Sequence, residues 1–297
     1  MDDQDRRAAI ALYDRFTHEG MDRRAFMAEL TRIAGGAAAA TALLGSVAAD
    51  AQARPRVAED DPRIWTDTIR GVSNGRLSIH YAAAPPAVAT GRKTAPSIIV
   101  VHENRGLNAH IKDVARRFAL AGYYALAPDF LAPSGGTPAD EDRARELIGQ
   151  LDLAAATADA VRLVRERAAK GGAGRGRVGI VGFCWGGAMV HQVALAAGDL
   201  LGAGVSFYGP APAPAEAVRL ETPLLVILAA RDERVNGTAL PYVQAAQAAG
   251  KPVRAITYPD VDHAFHNDTS AARYNAQAAG QAWSETMRHF YQNLRRA

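Results

Sequence analysis

The chain has one cysteine, Cys184, among 297 residues. It can form no internal disulfide, so its redox compartment cannot be read from bridges. Arginine greatly outnumbers lysine, alanine is abundant, and the formal net charge is only +3. That composition resembles a high-GC bacterial protein. No basic run is interleaved with aromatic residues, so the sequence carries no nucleic-acid signature. No internal repeat is present, and no cysteine and histidine spacing fits a standard zinc pattern. The uncharged stretch at residues 33–49 is mostly Ala and Gly. It is short and mild for a membrane span. At 48% hydrophobic and 22% charged, the chain has the balance of one large globular domain that can bury its own core.

The lone cysteine sits in an informative place. Gly182-Phe183-Cys184-Trp185-Gly186 reads as a Gly-x-nucleophile-x-Gly elbow with cysteine in the serine position. An apolar run at residues 178–181 enters it, and a helix-compatible run at 188–197 leaves it. That is the strand, turn and helix the elbow requires. Such a turn strains the nucleophile's backbone and leaves room only for glycine nearby. A helix starting at Trp185 would place its positive end at the sulfur and lower the thiol pKa. Outside this context a single cysteine is best read as a small buried hydrophobe.

Two further candidates follow in order. The strand-like run at residues 223–230 ends in Arg231-Asp232. A carboxylate after a parallel strand lies on the edge where open α/β sheets bind ligands. A short strand at residues 253–258 precedes a loop containing His263. Nucleophile, acid and base in the order Cys184, Asp232, His263 is the order of the α/β-hydrolase fold. Each has a plainer reading. Asp232 could cap a helix, and a loop histidine is commonly a surface residue. His191, His266 and His289 are assigned to the surface. Asp260, Asp262 and His266 are close in sequence, but their spacing fits no standard metal motif.

Upstream, the apolar strand at residues 97–101 runs into His102-Glu103-Asn104-Arg105-Gly106-Leu107. In this fold the loop supplies one backbone N–H of the oxyanion hole and the residue after the nucleophile supplies the other. Asn104 and Trp185 are the corresponding positions. Glu103 is unusual there. A carboxylate close to a thiol opposes thiolate formation or accepts its proton. Alternatively, Glu103 is a solvated loop acid or pairs with Arg105.

Together these pieces resemble the dienelactone hydrolase family. The matching segments are His102 through Leu107, Gly122-Tyr123-Tyr124-Ala125-Leu126-Ala127-Pro128-Asp129, the elbow through Gly187, Tyr208-Gly209, Asp232, and His263-Ala264-Phe265. The resemblance covers about residues 64–295. It implies an α/β-hydrolase fold and a Cys-His-Asp hydrolase of enol-lactones or related activated esters, with no cofactor or metal. It also implies that Glu103 is the family's second acid, which contacts the resting thiol and is displaced as substrate binds. One departure stands out. Family members carry an arginine shortly after the triad histidine that binds a substrate carboxylate, whereas this chain reads His263-Ala264-Phe265-His266-Asn267. Arg143 and Arg145 are candidates for the family's mid-chain arginine.

The remaining residues complete the expected architecture. Residues 64–70 and 77–83 flank Ser73-Asn74-Gly75 as an antiparallel hairpin. Alternating strands and helices follow, which argues a mostly parallel sheet covered on both faces. Residues 1–53 are read as an N-terminal extension and export signal, and 54–297 as the hydrolase domain. Asp22-Arg23-Arg24-Ala25-Phe26-Met27 is a twin-arginine pattern, and Ala51-Gln52-Ala53 is a small-x-small cleavage site before Arg54. Ala8, Ala9, Leu12, Tyr13 and Phe16 suit an amphipathic helix ahead of the signal; Met21 is a second candidate start. The expected protein is a periplasmic hydrolase of a small-molecule ester or lactone. It needs the export machinery during translocation, has no nucleic-acid partner, and is expected to be a monomer. The alternatives are a broader carboxylesterase or thioesterase, or a binding or thiol-sensing protein on the same fold.

Overall fold

The computed structural model describes residues 3–48, 55–170 and 178–294. The Ala51-Gln52-Ala53 segment, Arg54, and the Gly-rich run at 171–176 lie outside the described residues.

Three helices come first: α1 (Asp3–His18), α2 (Arg23–Ala34) and α3 (Ala37–Val47). The Asp22 side chain caps α2 by accepting from the Arg24 and Ala25 backbone N–H groups, both at 2.9 Å. Gly35 closes α2 in the left-handed conformation, with φ of 74°. The apolar faces meet one another, burying Leu12, Tyr13, Phe16, Phe26, Leu30 and Leu43. Ala8 faces solvent, while Ala9 is buried. Among the described residues no single helix is long and apolar enough to cross a membrane. The pair α2 and α3 passes that test only together, and the chain bends by 106° between them.

The sheet has eight strands in the order β1-β2-β4-β3-β5-β6-β7-β8. The hairpin is β1 (Trp65–Ser73) and β2 (Arg76–Ala84). Asn74 and Gly75 both have positive φ, 50° and 71°, as a tight primed turn requires. β1 forms the outer edge and is largely exposed, with Asp67 and Arg70 on it; charge on an edge discourages further pairing. After the short helix α4 (Pro86–Ala89) come β3 (Ser97–Val101), α5 (Ala109–Leu120), β4 (Tyr124–Pro128), α6 (Glu141–Gly149) and α7 (Leu153–Ala169). Then follow β5 (Val178–Phe183), α8 (Trp185–Ala196), β6 (Leu201–Phe207), β7 (Leu224–Ala229), α9 (Glu233–Ala248), β8 (Val253–Tyr258) and α10 (Ala276–Leu294). β2 is antiparallel to β1 and β4, and the other pairs are parallel.

Helices cover both faces. α5 and α10 close one core with Phe118, Tyr123 and Phe290, while α7, α8 and α9 close the other with Leu163, Met189 and Tyr242. β3, β5 and β7 are buried at every position, which is why they read as unbroken apolar runs. Each fully buried Val, Leu or Ile contributes about 1.5–3 kcal/mol. The histidines assigned to the surface are in fact interior. His191 packs against Tyr242 under α8, with ring centroids 5.3 Å apart. His266 stacks between Phe183 and Trp283. His289 lies 3.2 Å from the Pro223 carbonyl. Burial lowers the pKa values of His191 and His289 to about 4 and holds His266 well below its usual value. A neutral imidazole serves there as a flat packing group with one polar edge.

Candidate active site

The site lies at the C-terminal ends of β3, β5, β7 and β8. Cys184 follows β5 directly and carries φ of 54°, a left-handed conformation that costs a non-glycine residue energy. Its neighbours must be small. A Cβ on Gly182 would sit 2.0 Å from the Gly186 carbonyl oxygen, and one on Gly186 would sit 2.6 Å from the carbonyls of Val101 and His102. Tyr208 and Ala264 also have positive φ, 37° and 64°. Backbone strain thus gathers around this edge.

Asp232 caps α9. One carboxylate oxygen accepts from the Val235 N–H at 3.2 Å, and the other accepts from His263 Nδ1 at 2.5 Å. The helix-capping and histidine-orienting readings of Asp232 therefore both hold geometrically. Burial alone would lower the His263 pKa, but Asp232 and then Cys184 outweigh it and hold the imidazole well above its usual value. Burial would raise the Asp232 pKa, but His263 and the nearby Arg234 bring it below the usual carboxylate value. His263 Nε2 is buried without a hydrogen bond, while the donor atoms of His263 and Cys184 lie within 4.8 Å of one another.

Glu103 shares the cleft with Cys184, and both of its oxygens are engaged. Asn267 Nδ2 donates to Oε2 at 2.9 Å, and the Tyr208 hydroxyl donates to Oε1 at 3.4 Å. Arg105 does not pair with Glu103; it bonds to Glu141 and to the Tyr13 hydroxyl. The loop carrying Glu103 is held by His102. The Phe130 N–H donates to His102 Nε2 at 3.2 Å, so the ring's proton resides on Nδ1 and is donated to the Glu103 carbonyl at 2.8 Å. The His102 ring also stacks on Trp185 at 5.4 Å. The loop of β3 and the elbow of β5 are thereby locked together. Trp185 is the first residue of α8, so its N–H has no partner within the helix. Asn104 lines the same cleft.

Several groups in the cleft escape a reading of the sequence. Arg273 is buried there beside Arg105. It is the only arginine or lysine between His263 and α10, and that isolation is the one signal that points to it. Arg143 is instead an exposed partner of Glu146. Arg145 lies over the Phe16 ring at 3.9 Å. Arg231 pairs with Asp260 at 2.8 Å and with Asp262 at 3.9 Å, which accounts for that acidic loop. His18 from α1 is equally unforeseen. Its Nε2 lies 3.9 Å from Cys184 Sγ, and its ring centroid is 4.9 Å from that of His263. Burial, then His263, keeps its pKa well below the usual value.

Comparisons with known proteins show what the chain as a whole is similar to. Residues 81–294 match the model of the dienelactone hydrolase family. A Methylorubrum extorquens protein named "Putative carboxymethylenebutenolidase" is 32% identical over 211 residues, covering 66% of this chain and 72% of that protein. Protein usf of Aquifex pyrophilus is 31% identical over 219 residues, covering 70% and 92%. Among solved structures, a Klebsiella pneumoniae protein named "Putative Dienelactone Hydrolase" superposes with a TM-score of 0.67 at 29% identity. It covers 77% of this chain and 99% of its own.

Proposed function

This chain belongs to the dienelactone hydrolase family and is a hydrolase of esters or lactones, and we propose that Cys184 is its nucleophile, acting through an acyl-enzyme. The observation that carries the reading is the Asp232 to His263 bond at 2.5 Å beside a strained Cys184. In this mechanism His263 Nε2 takes the thiol proton as Sγ bonds to the substrate carbonyl carbon. The N–H groups of Trp185 and Asn104 hold the oxyanion. One such donor is worth about 10²–10³ in rate. His263 returns its proton to the leaving oxygen as the ester bond breaks, leaving a thioester. It then deprotonates a water, which attacks the thioester and releases the acid and the thiol. Asp232 keeps the reactive nitrogen facing Cys184 and stabilises the imidazolium. Glu103, held by Tyr208 and Asn267, is the second acid. Its carboxylate lines the cleft that holds the thiol.

The substrate class we propose is an activated ester or lactone bearing a carboxylate. Arg105 and Arg273 both line the cleft and supply the cationic character that is missing directly after His263. The reading includes export to the periplasm by the twin-arginine pattern at Arg23 and Arg24, with Arg54 as the mature start. Protein recovered from the periplasm supplies both tests. N-terminal sequencing should begin at Arg54; protein still starting at Met1 or Met21 contradicts export. Arg273→Ala should raise KM about 10–100-fold for a carboxylated ester and leave a neutral ester of equal reactivity unchanged. Equal effects on both esters would remove the carboxylate from the reading.

A further inference from the structure

The cleft is not open. Its remaining cavity is only about 20 Å³, room for about one water molecule. Tyr13, Thr17 and His18 of α1 line what is left. His18 sits against the Cys184 sulfur, where an acyl group would have to enter. Asp14 faces Arg273 at 3.8 Å. The Tyr13 hydroxyl accepts from Arg105, and its ring lies 5.0 Å from the Arg273 guanidinium. The side chain of Asn104 donates to the Thr17 carbonyl at 3.3 Å. The end of α1 thus places a carboxyl group on Arg273, a phenol on Arg105 and a flat polar ring over Cys184.

The far end of the layer is also fastened. The Ala272 N–H donates to the Ser46 carbonyl at 2.9 Å, and the Ser270 hydroxyl donates to the Val47 carbonyl at 2.8 Å. Both acceptors lie in α3, and both donors lie in the loop that carries Arg273. Among the described residues the layer's apolar core is almost wholly its own, with only Ala272 joining it from the hydrolase domain. The attachment to the cleft is mostly polar. Such contacts are individually worth about 0.5–1.5 kcal/mol, so the layer can detach without unfolding the sheet.

We propose that residues 3–48 are an inhibitory cover. α1 occupies the substrate's place, with Asp14 on Arg273 as the substrate anion would be and His18 over Cys184, so the full chain is latent until this segment leaves. The proposal rests on the reading of the cleft as the active site. It goes further by giving the N-terminal segment a second role beside export: hydrolysis is held back while the segment remains attached.

The test uses the full chain and two variants. Tyr13→Ala/Asp14→Ala/His18→Ala removes three side-chain contacts to the cleft and leaves the Thr17 carbonyl contact in place. Phe16→Asp/Leu30→Asp breaks the cover's own core and leaves the hydrolase core untouched. Circular dichroism checks that the sheet survives. Two readouts follow: iodoacetamide alkylation of Cys184, the only cysteine, and hydrolysis of an activated ester. Both variants should alkylate at least about 10-fold faster than the wild-type chain, and hydrolysis should rise alongside. If alkylation rises and hydrolysis does not, the cover stands and the catalytic reading fails. If the folded variants and wild type alkylate at the same rate, the cover is overturned. One folded variant is enough to decide between these outcomes.

Discussion

Two regions meet at Cys184, and they are built on opposite principles. The edge of the sheet is made of short connections anchored in buried strands. Cys184, Asp232 and His263 each stand within a few residues of a strand end, and glycines and strained φ angles fix their positions. The N-terminal layer is made of three amphipathic helices with a small core of their own. It reaches the site through polar contacts spread over α1 and α3. The first region leaves no room for added atoms at its glycines, whereas the second is proposed to lift as a unit. On the proposed reading, chemistry is placed on the first part and access is controlled by the second.

The sharpest way to break this contrast is at the rigid edge. Asp232→Asn keeps the shape but loses the charge that orients His263. We expect about a 10³–10⁴-fold fall in kcat with an unchanged circular dichroism spectrum. A fall of less than about 10-fold would mean that His263 is positioned by something else. Gly182→Ala should affect folding rather than chemistry, since its Cβ would overlap the Gly186 carbonyl oxygen. A loss of about 3 kcal/mol or more is expected in a denaturant titration. Wild-type stability would show that the elbow relaxes easily. Substitutions of similar size on the exposed face of the cover, such as Ala8→Ser, should change stability by less than about 0.5 kcal/mol.

The pH dependence of stability gives a smaller effect with a definite sign. The folded pKa of His263 is raised. Its contribution is therefore whole below about pH 6.5 and fades as pH rises through the folded value. Asp232 is lowered. Its contribution is present above about pH 4 and is lost as pH falls through its folded value. Tm should therefore decline on both sides of a plateau, by a few degrees. Asp232→Asn should flatten the alkaline limb, because it removes the largest stabilising partner of the His263 imidazolium. An unchanged alkaline limb would assign it to other groups.

The two regions also differ in how far the sequence discloses them. Strands β3, β5 and β7 are legible as apolar runs, and the Asn74-Gly75 turn marks the hairpin. The elbow glycines disclose the strained backbone at Cys184. Helix α9 runs from Glu233 to Ala248 although Gly237 and Pro241 lie within it. The Asp232 cap and the buried positions Val235 and Ala239 outweigh them. His191, His266 and His289 are interior against expectation because a single polar residue does not reveal which face of an element it joins. The cation at Arg273 is hidden because it reaches the cleft through tertiary placement and not through spacing from His263. The amphipathic pattern of α1 is visible, but nothing in it says which surface it covers.

The most direct measurement is a single-turnover reaction with p-nitrophenyl acetate on processed protein, quenched in acid and mapped by peptide mass spectrometry. The account predicts one acetyl group on the peptide containing Cys184. It should form with the burst of nitrophenol and decay at the steady-state rate, and Cys184→Ala should show neither adduct nor burst. An acetyl group on another residue that turns over competently, or a full burst in Cys184→Ala, would contradict it.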